Sequence, residues 1–140
     1  MTGTTSALVD TSALTRLTRQ SVADRLDEPL REGRLCICSL VSLELLRGAR
    51  SPAEYQAISG YLEGLAKIPI LPAHHVRALD VQRQLSARSH HRGVKLPDLL
   101  IAAAAEDHRI CVIHYDADFD LIAQVTNQPV EWVVPRGSAP

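Results

Sequence analysis

The sequence predicts an α/β fold in which a central parallel sheet is flanked by helices, with one α-hairpin as an excursion. Three observations point there. Short apolar runs of strand length, Ala7-Leu8-Val9, Leu35-Cys36-Ile37-Cys38 and Ile110 to Ile113, alternate with stretches whose apolar residues recur at helical spacing. Such alternation favours parallel strands joined by right-handed crossovers. With 140 residues, 46% of them hydrophobic, the chain can fill one sizeable core. A single domain over 1–140 is therefore expected, ordered over about 6–135. The short C-terminal tail, Pro135 to Pro140, is expected to fray.

The first strand, Ala7 to Val9, ends in Asp10-Thr11-Ser12, and Leu14 and Leu17 then share one helical face. Val22, Leu26 and Leu30 repeat every four residues, so a helix is expected from about Val22 to Arg31, ended by Gly33. Leu35 to Cys38 reads as the second strand, after which Ser39 is expected to cap a helix running to about Arg50. Ser51-Pro52 turns the chain into a second amphipathic helix through Tyr55, Ile58, Leu62 and Leu65, which makes the pair a hairpin. A brief strand is expected from Ile68 to Leu71, then a helix from Ala73 to about Ser89, suggested by Val76, Leu79 and Leu85. Pro97 opens the next helix as its first residue, and Asp98 to about His108, apolar on nearly every side, is expected to be buried. A strand over Ile110 to Ile113, a helix over about Ala117 to Val125 and a strand near Trp132-Val133-Val134 complete the chain.

Composition excludes several classes. Fifteen basic and 16 acidic residues give a net charge of −1, so nucleic acid must be held by local patches and not by a global field. No run reaches the ~20 apolar residues of a membrane helix, and no secretory signal is visible, which predicts a cytoplasmic protein without membrane contact. Cys36, Cys38 and Cys111 lie in apolar runs and lack a second Cys or His pair for zinc, so they read as buried reduced thiols. His74-His75 and His90-His91 are adjacent pairs whose side chains diverge on a helix and are poorly placed to share a metal.

The chemistry concentrates on acids. Asp10 and Asp116 sit where open α/β sheets bind ligands, beyond strand C-termini, and Asp98 lies in the first turn of a helix. Glu44 lies in the apolar stretch Leu40-Val41-Ser42-Leu43-Glu44-Leu45-Leu46, where an unpaired carboxylate is costly. Each has a plainer reading beside the functional one: Asp10 as a helix cap, Glu44 paired with Arg47, Asp98 as an anion at a helix dipole. His114-Tyr115-Asp116-Ala117-Asp118-Phe119-Asp120 superficially follows an EF-hand loop, but Leu121 and Asn127 occupy its glycine and glutamate positions. Asp118 reads as an auxiliary ligand and Asp120 as a solvated helix residue. Clustered carboxylates suit Mg²⁺ or Mn²⁺, which activate water and neutralise charge on a phosphoryl group.

Leu8-Val9-Asp10-Thr11-Ser12-Ala13-Leu14, the helical Glu44, Leu96-Pro97-Asp98-Leu99-Leu100-Ile101-Ala102-Ala103 and His114-Tyr115-Asp116-Ala117-Asp118-Phe119 together resemble the successive motifs of PIN-domain ribonucleases. More narrowly, they resemble the VapC toxins of bacterial VapBC toxin-antitoxin modules. The resemblance runs from about Ser6 to Pro135. It implies a PIN-like three-layer fold and an Mg²⁺-dependent endoribonuclease, with Mn²⁺ as a substitute, acting on tRNA, rRNA or mRNA. It also implies a homodimer inhibited by a VapB-type antitoxin. The acidic positions carry over as Asp10, Glu44, Asp98 and Asp116 for catalysis, with Asp118 joining Asp10, Asp98 and Asp116 at the metal.

On this reading Glu44 holds a water or helps remove its proton, attack on phosphorus is in line, and the products carry 5′-phosphate and 3′-hydroxyl ends. Thr11 and Ser12 are candidates to orient a ligand, water or substrate. Arg16, Arg19, Arg47 and Arg50, with Arg88, Arg92 and Lys95, flank the acidic motifs and are candidates for RNA phosphate contacts, Arg16, Arg47 and Arg92 foremost. With only 4% aromatic residues, no base-stacking platform is expected. An aspartyl-nucleophile phosphatase would need a second Asp where Ser12 stands. A non-catalytic scaffold is the remaining alternative, and the intact acids disfavour it.

Overall fold

A computed structural model describes residues 6–140; residues 1–5, which fall within the single domain expected from the sequence, lie outside the described residues. In chain order the elements are β1 (Ala7–Val9), α1 (Thr11–Leu14), α2 (Gln20–Arg31), β2 (Leu35–Ile37), α3 (Ser39–Arg47), α4 (Pro52–Glu63), β3 (Ala66–Lys67), α5 (Pro72–Ser86), α6 (Leu96–Asp107), β4 (Cys111–His114), α7 (Asp118–Thr126) and β5 (Val130–Trp132). The five strands form one sheet in the order β3-β2-β1-β4-β5, with every pairing parallel. Leu8 sits opposite Cys36 on one side and Val112 on the other, so β1 is central. Because all strands run the same way, their C-terminal ends, and the residues that follow them, open on one edge of the sheet.

The core explains why these runs become strands. Leu8, Val9, Leu35, Ile37, Val112 and Ile113 are buried, as expected where helices cover both faces of a parallel sheet. Helix α6 buries Ile101 and the row Ala102 to Ala105, as its all-round apolar composition predicts. Cys36 and Cys38 are buried; burial, with a lesser push from Cys38, raises the Cys36 thiol to about 11.

Several elements differ from expectation for local reasons. Helix α1 is a single turn. Helix α3 begins at Ser39 itself, and Cys38, with no side-chain cap, precedes it. The third strand is Ala66–Lys67 and not Ile68 to Leu71, because Pro69 has no N–H to give a ladder, and pairing ends where Ile68 N donates to Ile37 O. In α5 the inward face is His74, Ala78, Val81 and Leu85, whereas Val76 and Leu79, which helped to mark the helix, are 70% and 67% exposed. The C-terminal tail does not fray. Ala139 is buried; its N–H donates to Tyr115 Oη (2.9 Å), and its carbonyl accepts from Arg16 Nε (2.7 Å). No helix among the described residues is long and apolar enough to cross a membrane.

Candidate metal centre

The strand-end edge gathers acids from four segments. Asp10 follows β1 and caps α1, its Oδ2 accepting from Ser12 N (3.0 Å) and Ser12 Oγ (2.6 Å). The capping reading and the site reading of Asp10 are thus compatible. One oxygen caps, and the other, Oδ1, is buried with no hydrogen-bond partner among the described residues. Ser12 Oγ in turn accepts from Tyr115 N (2.8 Å), stitching the start of α1 to the loop that carries Asp116. Thr11 Oγ1 donates to Glu44 Oε1 (2.9 Å), which brings the α3 glutamate to the same edge.

Asp98, in the first turn of α6, is 2% exposed, and its Oδ2 is likewise buried with no hydrogen-bond partner among the described residues, Lys95 Nζ standing 3.6 Å away. Asp116 and Asp118 bracket the start of α7: Asp118 N donates to Asp116 Oδ1 (2.9 Å), and Lys95 N donates to Asp118 Oδ2 (2.9 Å). One carboxylate oxygen from each of Asp98, Asp116 and Asp118 lies within 4.8 Å of the others. Asp10 and Glu44 flank this triad. Their charges are close enough to act on one another, and that of Asp10 also acts on Asp98.

Electrostatics follow from that crowding. Burial, then the charges of Glu44 and Asp116, raise Asp10 above the ordinary carboxylate range, against the lowering pull of the Ser12 hydrogen bonds. Burial raises Asp98 strongly; its hydrogen bond to Asp118 and the charge of Asp10 add to this, so the metal-free site retains a proton there. Burial pushes Asp118 the other way from its net shift: hydrogen bonds from Asp98 and Lys95 prevail and lower it. The two shifts run in opposite directions, Asp98 toward keeping its proton and Asp118 toward ionising, a crowding that a cation would relieve.

Two residues that sequence reasoning undervalued support the centre. His114 is fully buried, its ring 5.1 Å from that of Phe119 and 5.0 Å from that of Trp132, and its Nδ1 accepts from Asp116 N (3.1 Å), orienting that carboxylate. Burial lowers His114 to about 4 despite the opposing charges of Asp120, Asp116 and Glu131. Lys95, grouped by the sequence with possible phosphate contacts, instead turns its ammonium onto Asp116 Oδ2 (2.7 Å) and Asp118 Oδ2 (2.9 Å). Its three-residue spacing from Asp98 at a helix start was the only available signal.

The arginines divide. Arg47 and Arg92 are exposed and form no ion pair among the described residues. Arg16 is committed elsewhere: its guanidinium stacks 4.3 Å over the Tyr115 ring and donates to Ser12 O and Ala139 O. His74 is not near the acids; it is buried between Leu71 N and Asp107 Oδ2.

A five-stranded parallel sheet with acids converging at its strand ends is the architecture of a known group. A family model described as "PIN domain" matches residues 7–125, and the chain belongs to the PIN-domain family. Within it the chain is of the VapC type. Ribonuclease VapC51 of Mycobacterium tuberculosis is 49% identical over 132 residues, covering 94% of this chain and 95% of the relative. Ribonuclease VapC18 of the same organism is 46% identical over 132 residues, covering 93% of this chain and 96% of the relative. A DNA-bound VapBC structure from Salmonella typhimurium has a TM-score of 0.75 at 17% identity, covering 93% of this chain and 99% of that one, a likeness of fold.

Proposed function

We propose that this chain is the toxin of a toxin-antitoxin pair, an Mg²⁺-dependent endoribonuclease that hydrolyses phosphodiester bonds in cellular RNA. The observation that carries the reading is the pair of buried oxygens that accept no hydrogen bond among the described residues, Asp10 Oδ1 and Asp98 Oδ2, beside the Asp98-Asp116-Asp118 cluster in a VapC-type PIN domain. An all-carboxylate donor set suits a hard cation, Mg²⁺ with Mn²⁺ as a substitute, and buried oxygens without hydrogen bonds are what a coordination site needs.

Asp10, Asp98, Asp116 and Asp118 would hold the cation, which when bound supplies positive charge that activates water and neutralises charge building on phosphorus. The residues of the chain do the rest. Ser12 holds Asp10 by its Oδ2, leaving Oδ1 free. Thr11 fixes the orientation of Glu44, whose carboxylate is the group that accepts a proton from the attacking water. His114 steadies the backbone of Asp116. Arg47 and Arg92, exposed and uncommitted among the described residues, are the phosphate contacts of this reading, and Arg16 serves the fold.

The test is cleavage of total RNA by the purified chain, followed by mapping of 5′ ends. Expected are 5′-phosphate and 3′-hydroxyl products that vanish in EDTA, return with Mg²⁺ and are absent from Asp98→Asn. Cyclic phosphate ends, or full cleavage in chelator, overturn the reading. A VapB-type antitoxin and a homodimeric assembly belong to the same proposal; suppression of cleavage by the cognate antitoxin checks the first, and sedimentation the second.

A further inference from the structure

Lys95 enters the acidic centre from the residue preceding α6. Its Nζ lies 2.7 Å from Asp116 Oδ2, 2.9 Å from Asp118 Oδ2 and 3.6 Å from Asp98 Oδ2. Those are the same three carboxylates whose oxygens cluster within 4.8 Å. We propose that Lys95 is a built-in counter-ion of the metal-free centre, which competes with the divalent cation for Asp116 and Asp118 and swings into solvent when the metal loads.

Three observations carry this. An ammonium in contact with the two Oδ2 atoms leaves no room for a divalent ion on those oxygens without close like-charge repulsion. The side chain is 56% exposed, so a path outward exists. The residue type also fits. The chain has 15 basic residues, of which 13 are arginine and only Lys67 and Lys95 are lysine. A lysine head is a compact charge with three donors on a flexible stem, able to stand among three carboxylates as a metal ion does. Asp98 Oδ2, buried and reached by Lys95 Nζ only at ion-pair distance and not by a hydrogen bond, belongs to the set of oxygens that would hold the replacing ion.

The inference rests on the metal reading above, and the experiment separates the two. Metal-free wild type and Lys95→Met are titrated with Mn²⁺ by electron paramagnetic resonance. Lys95→Met is expected to bind Mn²⁺ about tenfold more tightly, equivalent to about 1.4 kcal/mol. Equal or weaker binding by the variant overturns the competitor role and makes Lys95 a permanent positioning residue. No Mn²⁺ binding by either protein overturns the metal reading and the competitor with it.

Wild type alone supplies a second readout, which stands even where the variant fails to fold. Acetylation by an N-hydroxysuccinimide ester, quantified by mass spectrometry, compares Lys95 with Lys67, whose Nζ donates to Leu62 O and Leu65 O and serves as internal reference. Saturating Mg²⁺ is expected to speed labelling of Lys95 severalfold and leave Lys67 unchanged. Labelling of Lys95 that is slowed or unaffected by Mg²⁺ overturns the proposal.

Discussion

Asp10 Oδ1 and Asp98 Oδ2 are buried and accept no hydrogen bond among the described residues, and a buried carboxylate in that state is costly unless it is neutralised. Asp98 escapes part of that cost by keeping a proton, since burial raises its pKa above the ordinary range. Asparagine in its place mimics the protonated acid, still able to donate to Asp118, but cannot complete a cation site. Asp98→Asn is therefore expected to be at least as stable as wild type without metal, by about 1 kcal/mol or several degrees in Tm. Its cleavage should fall by ~100-fold or more, the scale reached when even a supporting group of a metal site is lost. Melting in EDTA and a cleavage time course check both halves; a variant that is less stable and still active would show that Asp98 is only a structural anion. The sequence revealed Asp98 because Pro97 marks a helix start, and Asp10 because a strand ends before it. It concealed Lys95, because an ammonium's choice between solvent, RNA and Asp116 depends on two segments meeting 21 residues apart.

Elements meet at the centre through side chains short enough to bridge them. Ser12 joins the β1–α1 junction to the β4–α7 loop, receiving Tyr115 N across 103 residues while donating to Asp10. Ser12→Ala leaves that N–H unsatisfied and lets Asp10 turn, so it is expected to lose about 1–3 kcal/mol of stability. It should also weaken Mn²⁺ binding by about 10–100-fold. Chemical denaturation and Mn²⁺ titration measure the two losses, and an unchanged Mn²⁺ affinity would mean that the bridge serves the fold alone. The strand and helix order was readable because parallel strands buried on both faces are continuous apolar runs, as Leu35 to Cys38 shows. The facing of α5 was not, because Val76 and Leu79 compete with the stripe His74, Ala78, Val81 and Leu85, and only tertiary packing selects the stripe containing a histidine. Leu85→Ala should cost about 2–5 kcal/mol, whereas Leu79→Gln should stay within ~0.5 kcal/mol, in urea titrations of each.

The whole molecule couples folding to protons through two groups of opposite sign. His114, buried beneath Phe119 and Trp132, is held neutral, its pKa depressed from 6.5 to about 4 while Asp120, Asp116 and Glu131 oppose the shift. Between those values the unfolded chain binds the proton and the folded one does not, so stability rises with pH across that window and is lost as pH falls toward about 4. Asp98 acts in the other direction. Its folded pKa is raised above 3.8, so its contribution is fully present below that value and is lost as pH climbs, which strains the metal-free centre on the alkaline side. On the proposed reading, a divalent cation held there would take the place of the Asp98 proton and offset that loss, so its binding would release a proton and strengthen with pH. Melting curves with and without Mg²⁺ should then show a stabilisation that is small near about pH 5.5 and grows toward about pH 8, reaching ~2.7 kcal/mol where Mg²⁺ stands at 100 times its Kd. In Asp98→Asn the metal-free protein should no longer weaken on the alkaline side, and the growth of the Mg²⁺ effect with pH should disappear. A Mg²⁺ stabilisation that is flat with pH in wild type would mean that Asp98 is already ionised without metal, and that its proton does not gate cation binding.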